Sequence, residues 1–229
     1  MEPPSTTQPR IVLASRSPRR VDLLTKLLDE AFGEGEMPFD IEPADIDETP
    51  LEFETPLAHV QRLAQGKAHV IAQRYTDLDV IVIAADTTVD VEGEIFGKPE
   101  NLDDARRMLG EMSGRTHRVH TAISVVRGER QAHTVDTASV TLVHITPELM
   151  DWYLGIGESL DKAGAYALQG AGGKLVETVL LPNAPVKTTI TDSTGQVITG
   201  AESVWVAKSK TCFLSFENSP EGVHVELQW

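Results

Sequence analysis

Arg19 and Arg20 stand in the first turn of a helix that Ser17 and Pro18 open. Ser17 suits the N-cap, and Pro18 suits the first helical position, where its missing N–H costs nothing. Two cations at that end oppose the helix dipole by roughly 0.3–1 kcal/mol each. Backbone N–H groups beside two guanidinium groups make an anion site, and a phosphate would turn the penalty into a gain. Two solvated arginines on a surface turn are the plain alternative. Ser15 lies in the same turn.

Three further places carry groups that could act on or hold a charged ligand. Asp29 to Glu54 contains eleven acidic residues and no Lys or Arg, and its loop 43–50 puts Asp45, Asp47 and Glu48 in four positions. Such a run is ordinarily a solvated surface, yet clustered carboxylates also suit Mg²⁺ or Mn²⁺. Lys67 falls on the edge of an apolar helical stripe, either snorkelling its ammonium to water or aiming it into a cleft. Asp86 ends the most apolar strand reading of the chain, and ligands of open α/β sheets gather at the carboxyl ends of central strands. Lys98 follows a hairpin that returns toward Asp86, as a salt-bridge partner or a second phosphate ligand. His117 and His120 sit three apart in a strand, which points them to opposite faces, so no zinc site is expected.

The elements that must position these groups alternate between strand and helix. Ile11–Ala14 reads as a buried strand, followed by a helix with Val21, Leu24, Leu27 and Leu28 at helical spacing. A short strand is expected over 38–41, then a helix from Pro56 to about Tyr75 with Leu57, Val60, Ala64 and Ile71 inward. The strand 79–85 follows, then a hairpin over 87–96 turning at Glu92-Gly93. A helix over 103–112 precedes two long strands, 116–127 and 132–145, joined at Gly128-Glu129. A short helix covers 148–154, and a tightly packed loop of small residues covers 160–170. Beyond Val176 the strand-like pieces are 187–191, 196–199, 203–207 and 212–216.

The 229 residues carry 20 Lys+Arg against 35 Asp+Glu, a formal charge of -15. That balance argues against nucleic acid and against anionic membranes as partners. Basic groups for an anionic ligand must therefore be gathered locally. The single cysteine, Cys212, forms no intramolecular disulfide and no thiolate metal cage. No apolar run approaches the roughly 20 residues of a membrane span, and Met1 to Arg10 reads as a disordered lead-in. The expectation is a soluble cytoplasmic protein.

Seven motifs together resemble the Maf family of nucleoside triphosphate pyrophosphatases. They are Leu13-Ala-Ser-Arg-Ser-Pro-Arg-Arg20, Ile46-Asp-Glu48, Arg62-Leu-Ala-Gln-Gly-Lys-Ala68, Ala85-Asp-Thr87, Gly97-Lys-Pro99, Ser113-Gly-Arg-Thr-His117 and Asp161-Lys-Ala-Gly-Ala-Tyr-Ala-Leu-Gln-Gly170. They occur in the family's order over about residues 10 to 179. The resemblance implies an α/β fold with two lobes around a long mixed sheet, similar to inosine triphosphate pyrophosphatases, with the nucleotide in a cleft between lobes. It implies cleavage between the α and β phosphates, giving a monophosphate and pyrophosphate, and the Ser-Pro-Arg-Arg turn resembles the dTTP/UTP branch. A nucleotide house-cleaning role goes with it.

By the same resemblance, Ser15, Arg19, Arg20 and Lys98 hold phosphate oxygens, and Lys67 adds a point charge. Glu48 and Asp86 hold a divalent cation, Mg²⁺ or Mn²⁺, with Asp86 also activating water. Gln169 orients water or ligand. A nucleoside triphosphate is the implied partner, and the family allows a homodimer. The family's usual ending is absent after Val179: a lead-in of 1–10 and a domain of 11–179 are followed by a divergent β-rich tail, 180–229. An altered ending that impairs the cleft would leave a catalytically silent nucleotide-binding protein, the alternative reading.

Overall fold

The computed structural model describes residues 9–75, 79–181, 187–192, 202–206, 211–215 and 223–228, with side chains through residue 181. Among them the strand order is β2-β1-β3-β5-β6-β7-β10-β9, and β4 pairs with β3. These strands are β1 (Arg10–Leu13), β2 (Phe39–Ile41), β3 (Val80–Val91), β4 (Glu94–Phe96), β5 (Thr116–Arg127), β6 (Arg130–Leu142), β7 (Val176–Leu181), β9 (Glu202–Val206) and β10 (Thr211–Ser215). β1 runs parallel to β2 and β3, whereas β4 on β3 and β7 on β6 are antiparallel. The sheet is mixed and the class is α/β, as the resemblance implies. β8 (Lys187–Asp192) and β11 (Val223–Gln228) form a separate antiparallel pair.

The chain divides into two compact units. The first comprises residues up to Glu54, Ala58–Asp86 and Thr121–Val135; the second comprises Thr55–Leu57, Thr87–His120 and Asp136 onward. Strands β3, β5 and β6 contribute residues to both.

In the first unit, strand alternation sorts the apolar residues onto two faces. Ile11 and Leu13 meet Leu24 and Leu28 of α1 (Pro18–Phe32), with Ile81 and Ile83 beside them. Val12, Ala14, Val80, Val82 and Ala84 meet Ala68 and Ile71 of α2 (Pro56–Ala72). Both helices are amphipathic, but their stripes are narrower than the spacing suggests: Leu27 is 61% exposed and Leu57 is 41% exposed. Leu63 replaces Leu57 in the buried set. A short 3-10 turn, Gln73–Tyr75, completes the predicted length of α2.

The strand expected to stop at Asp86 does not stop there. β3 continues through Asp86 to Val91, and the hairpin turn at Glu92-Gly93 leads straight into β4. The polar run Asp86-Thr87-Thr88 reads as a boundary because it interrupts the apolar pattern. Thr88 and Asp90 are nevertheless buried, at 3% and 5% exposure, and β-branched threonines favour the extended backbone.

The second unit packs β3 and β4 side chains (Val89, Val91, Phe96) with α3 (Leu102–Met112), α4 (Pro147–Ile156), β6 and β7. Asn101 caps α3 through a bond from the Asp104 N–H, and Asp103 and Asp104 favour its dipole. Thr146 caps α4, and Gly157 ends it in the left-handed conformation that glycine adopts without penalty. Asp90 Oδ2 lies 3.1 Å from His120 Nε2, whose Nδ1 lies 2.8 Å from Thr137 Oγ1, so three strands share one polar chain. Three of the four tail readings fall on β8, β9 and β10; 196–199 lies outside the described residues, and β11 had no forecast. Of the lead-in, residues 1–8 lie outside the described residues, and Arg10 already belongs to β1.

His117 and His120 on β5 are both buried. His117 Nε2 lies 2.6 Å from the Tyr166 hydroxyl, while its Nδ1 has no partner. Burial lowers the His117 pKa from 6.5 to about 4, with Asp90 pulling the other way. The unfolded chain takes up that proton at ordinary pH values and the native chain does not. Stability from this group is therefore complete above pH 6.5 and is lost as pH falls toward 4, on the order of 3 kcal/mol in all. Urea midpoints measured between pH 7.5 and 4.5 should fall accordingly, and His117→Gln should flatten that slope.

Candidate functional site

The site is built within the first unit. β1 ends at Leu13, and the chain turns at once, with the Ser15 N–H donating to the Leu13 carbonyl at 3.0 Å. Ser15 is buried, and its Oγ accepts from the Ser17 N–H at 3.1 Å, which fixes the entry into α1. Ser17 itself makes no side-chain cap bond. Arg20, in the first helical turn, reaches back and donates to the Ala85 carbonyl at 2.7 Å, with Ser15 Oγ 3.5 Å away. Arg19 beside it is exposed.

Ala85 precedes Asp86, so the Arg20 guanidinium is delivered next to that carboxylate. Burial lowers the Arg20 pKa, the Asp86 charge raises it, Arg19 lowers it and Glu48 raises it. The guanidinium thus senses both carboxylates of the site.

Lys67 answers the question its position posed. It is 8% exposed and does not snorkel; α2 aims it inward. Its Nζ donates to Asp86 Oδ1 at 2.7 Å and lies 2.6 Å from Glu48 Oε1. One ammonium therefore joins the acidic loop to the central strand. Asp86 is 7% exposed, and the Glu48 side chain is 49% exposed.

Of the residues singled out by sequence, Ser15, Arg20, Glu48, Lys67 and Asp86 are brought together, and Arg19 stands on the same turn of α1. The ammonium bonded to Asp86 is that of Lys67, which leaves phosphate as the role open to Lys98. Lys98 and Gln169 belong to the second unit, Lys98 exposed and Gln169 half-buried. Asp86 sits mid-strand, so its position owes nothing to a strand terminus. A shallow groove along α2, lined by Ala58, Gln61, Arg62, Gln65, Gly66, His69 and Gln131, contains none of these residues.

Two carboxylates joined through a single cation fit a small divalent ion. Mg²⁺ takes one or two carboxylates and keeps water or substrate phosphate for the rest of its octahedron. Among the described residues no group of three or more His, Cys, Asp or Glu could hold a metal ion. Glu48 and Asp86 could hold such an ion, with its remaining positions left to water or ligand oxygens.

Sequence reasoning missed Glu54, His59 and Arg62, which form a hydrogen-bonded cluster beside the acidic loop, with the Glu54 and His59 side chains buried and that of Arg62 half-buried. Arg62 Nε donates to Glu54 Oε1 at 2.6 Å, and its second terminal nitrogen donates to Oε2 at 2.8 Å and to the Thr49 carbonyl at 3.1 Å. His59 Nδ1 lies 3.0 Å from Glu54 Oε2. The signal was present: His59 and Arg62 share a helix face at three-residue spacing, with Arg62 opening a quoted motif.

A family model described as Maf-like protein matches residues 10–180. A dTTP/UTP pyrophosphatase of Methylobacillus flagellatus is 44% identical over 170 residues, covering 74% of this chain and 81% of the relative. One from Myxococcus xanthus is 45% identical over 172 residues, covering 75% and 82%. One from Moorella thermoacetica is 44% identical over 169 residues, covering 73% and 82%.

Proposed function

The chain belongs to the Maf-like protein family, and we propose from that premise that it hydrolyses nucleoside triphosphates, dTTP and UTP foremost, to the monophosphate and pyrophosphate. The observation that carries the site assignment is the buried Lys67 ammonium held between Asp86 and Glu48. A triphosphate near tetra-anionic at neutral pH requires charge neutralisation and a positioned water for attack at its α-phosphorus.

Arg19 and Arg20 supply guanidinium groups at the start of α1, with Ser15 Oγ in the same turn. Arg20 is pre-set by its bond to Ala85 and loses little freedom on binding. Asp86 accepts the proton of the attacking water. Lys67 holds the Asp86 carboxylate in place and offers its charge to the phosphates. Glu48 and Asp86 would hold Mg²⁺ or Mn²⁺, which supplies neutralisation of phosphate charge when bound. Lys98 and Gln169 are assigned to phosphate and to water or ligand, supported by their match to family motifs alone. The proposal includes a reducing, cytoplasmic setting, which the single cysteine supports; no helix of the described residues is long and apolar enough to cross a membrane. A house-cleaning role follows from substrates of this class.

The test is pyrophosphate release across canonical and modified nucleotides, with Mg²⁺, with Mn²⁺ and after chelation. Release from dTTP and UTP that chelation abolishes is the expected result. Folded protein that is stabilised by nucleotide but turns none over would replace the enzyme with the silent binder. Arg19→Ala should raise KM by about 10- to 10²-fold with melting temperature unchanged, because a charged hydrogen bond from a guanidinium to phosphate contributes about 1.5–3 kcal/mol.

A further inference from the structure

The loop that carries Glu48 has no regular secondary structure between β2 and α2. It carries Asp45, Asp47, Glu48, Glu52 and Glu54 with no cation of its own. Like charges repel, so a loop of this composition spreads unless something outside it supplies counter-charge. Lys67 supplies one such charge at Glu48, and Arg62 supplies another further along.

We propose that Arg62 and Glu54 form a positioning clamp that holds the acidic loop against α2 and so delivers Glu48 to Lys67. The proposal rests on the pyrophosphatase reading of that site. Arg62 bonds both oxygens of Glu54, the bidentate geometry that fixes orientation as well as distance. The same guanidinium binds the carbonyl of Thr49, the residue after Glu48. The Thr49 N–H in turn donates to Asp47 Oδ1 at 2.9 Å. Glu54 also folds its own end of the loop, accepting from the Leu51 N–H at 3.0 Å while its own N–H donates to the Leu51 carbonyl. Arg62 therefore bonds Thr49 directly, and Asp47, the other neighbour of Glu48, is tied in through the Thr49 N–H.

A second observation points the same way. Phe53 has a φ of 59° and is 93% exposed. A bulky residue in the left-handed region gains nothing from packing here, so its conformation is imposed by the surrounding bonds. The adjacent Glu54, with a side chain only 6% exposed, is where those bonds converge. Arg62 touches neither the reacting atoms nor the ligand-holding oxygens in this account; it acts through Glu48.

The test is a double-mutant cycle on kcat for dTTP with Glu48→Gln and Arg62→Ala, joined to hydrogen exchange on the same proteins. Arg62→Ala should lower kcat by about 10²-fold, the cost of a displacement of about 1 Å. In its background Glu48→Gln should cost less than about threefold further, because Glu48 is already misplaced. Amides of Thr49, Leu51 and Glu54 should exchange at least about tenfold faster, with β1 and β3 unchanged. Arg62→Lys, which keeps charge but not the fork, should fall between. Costs that multiply independently, or protection at 49–54 that survives Arg62→Ala, overturn the clamp. If Arg62→Ala does not fold, Glu54→Gln takes its place in the same cycle. Wild-type protein without turnover removes the pyrophosphatase reading, and exchange at 49–54 then decides the clamp by itself.

Discussion

Asp86→Asn is expected to lower kcat for pyrophosphate release from dTTP by about 10²–10⁴, the usual worth of a positioned base. The substitution keeps size and shape and leaves Lys67 an acceptor at Asn Oδ1, with Glu48 still 2.6 Å away in the parent geometry. Nucleotide affinity measured without divalent cation should change little, because the phosphate-facing guanidinium groups of α1 are untouched. Arg20 keeps its anchor on the Ala85 carbonyl, a main-chain group that the substitution does not alter. The variant should therefore bind, melt close to the parent and fail at turnover. Steady-state pyrophosphate release, read beside calorimetric melting, checks all three. A kcat within threefold of the parent removes Asp86 from the reacting centre.

The largest expected effect on stability comes from one methyl group. Gly172→Ala would put a Cβ 2.4 Å from the Ala167 carbonyl oxygen and 2.9 Å from its nitrogen. Both contacts are to main chain, so no side chain can swing aside. Tyr153 Oη stands 3.2 Å off and already donates to the Ala165 carbonyl at 3.1 Å. The turn 171–175 must move away from 165–167, opening a fully buried part of the second unit's core. We expect a loss of about 3 kcal/mol, or a melting temperature lower by about 6–12 °C. Gly110→Ala is the matched control, because nothing lies within 4 Å of its Cβ and it sits in α3. There the same methyl group should stabilise by about 0.5–1 kcal/mol. Equal shifts for the two variants would show that close backbone approach at Gly172 is not what the site is built on.

Sequence made the alternation of strands and helices legible because apolar periodicity and caps are local. Ser17-Pro18 and Thr146-Pro147 announced α1 and α4, and buried Ile11–Ala14 announced β1. Lys67 was visible as an oddity, a lysine on a buried stripe, but its meaning depended on Glu48 and Asp86, both about twenty positions away. β3 reads as two strands because the polar run Asp86-Thr87-Thr88 looks like a break until its burial is known. The reach of the first helices was overestimated at Leu27 and Leu57 for a related reason: periodicity shows which residues could face a core, not how wide that core is. For the Arg62–Glu54 pair, periodicity marks only the helical half, His59 and Arg62 on one face, and not the partner across the loop. Ion pairs across a loop are specified by shape, and shape is a property of the folded chain.

The first unit is assembled from three stretches of chain, and this sets an order of events on the ribosome. Synthesis runs from the N-terminus, so Lys67 and Asp86 emerge early and can meet as soon as β1, α2 and the start of β3 are out. The last stretch, 121–135, arrives only after residues 87–120 of the second unit have been made. At about 5–20 residues per second that interval is several seconds long. Throughout it, Ala122 and Val126 are missing from the apolar clusters they complete with Val60 and Ala64, and with Val82 and Ala84. Lys67 and Asp86 are thus free to meet before the apolar clusters of their unit are whole.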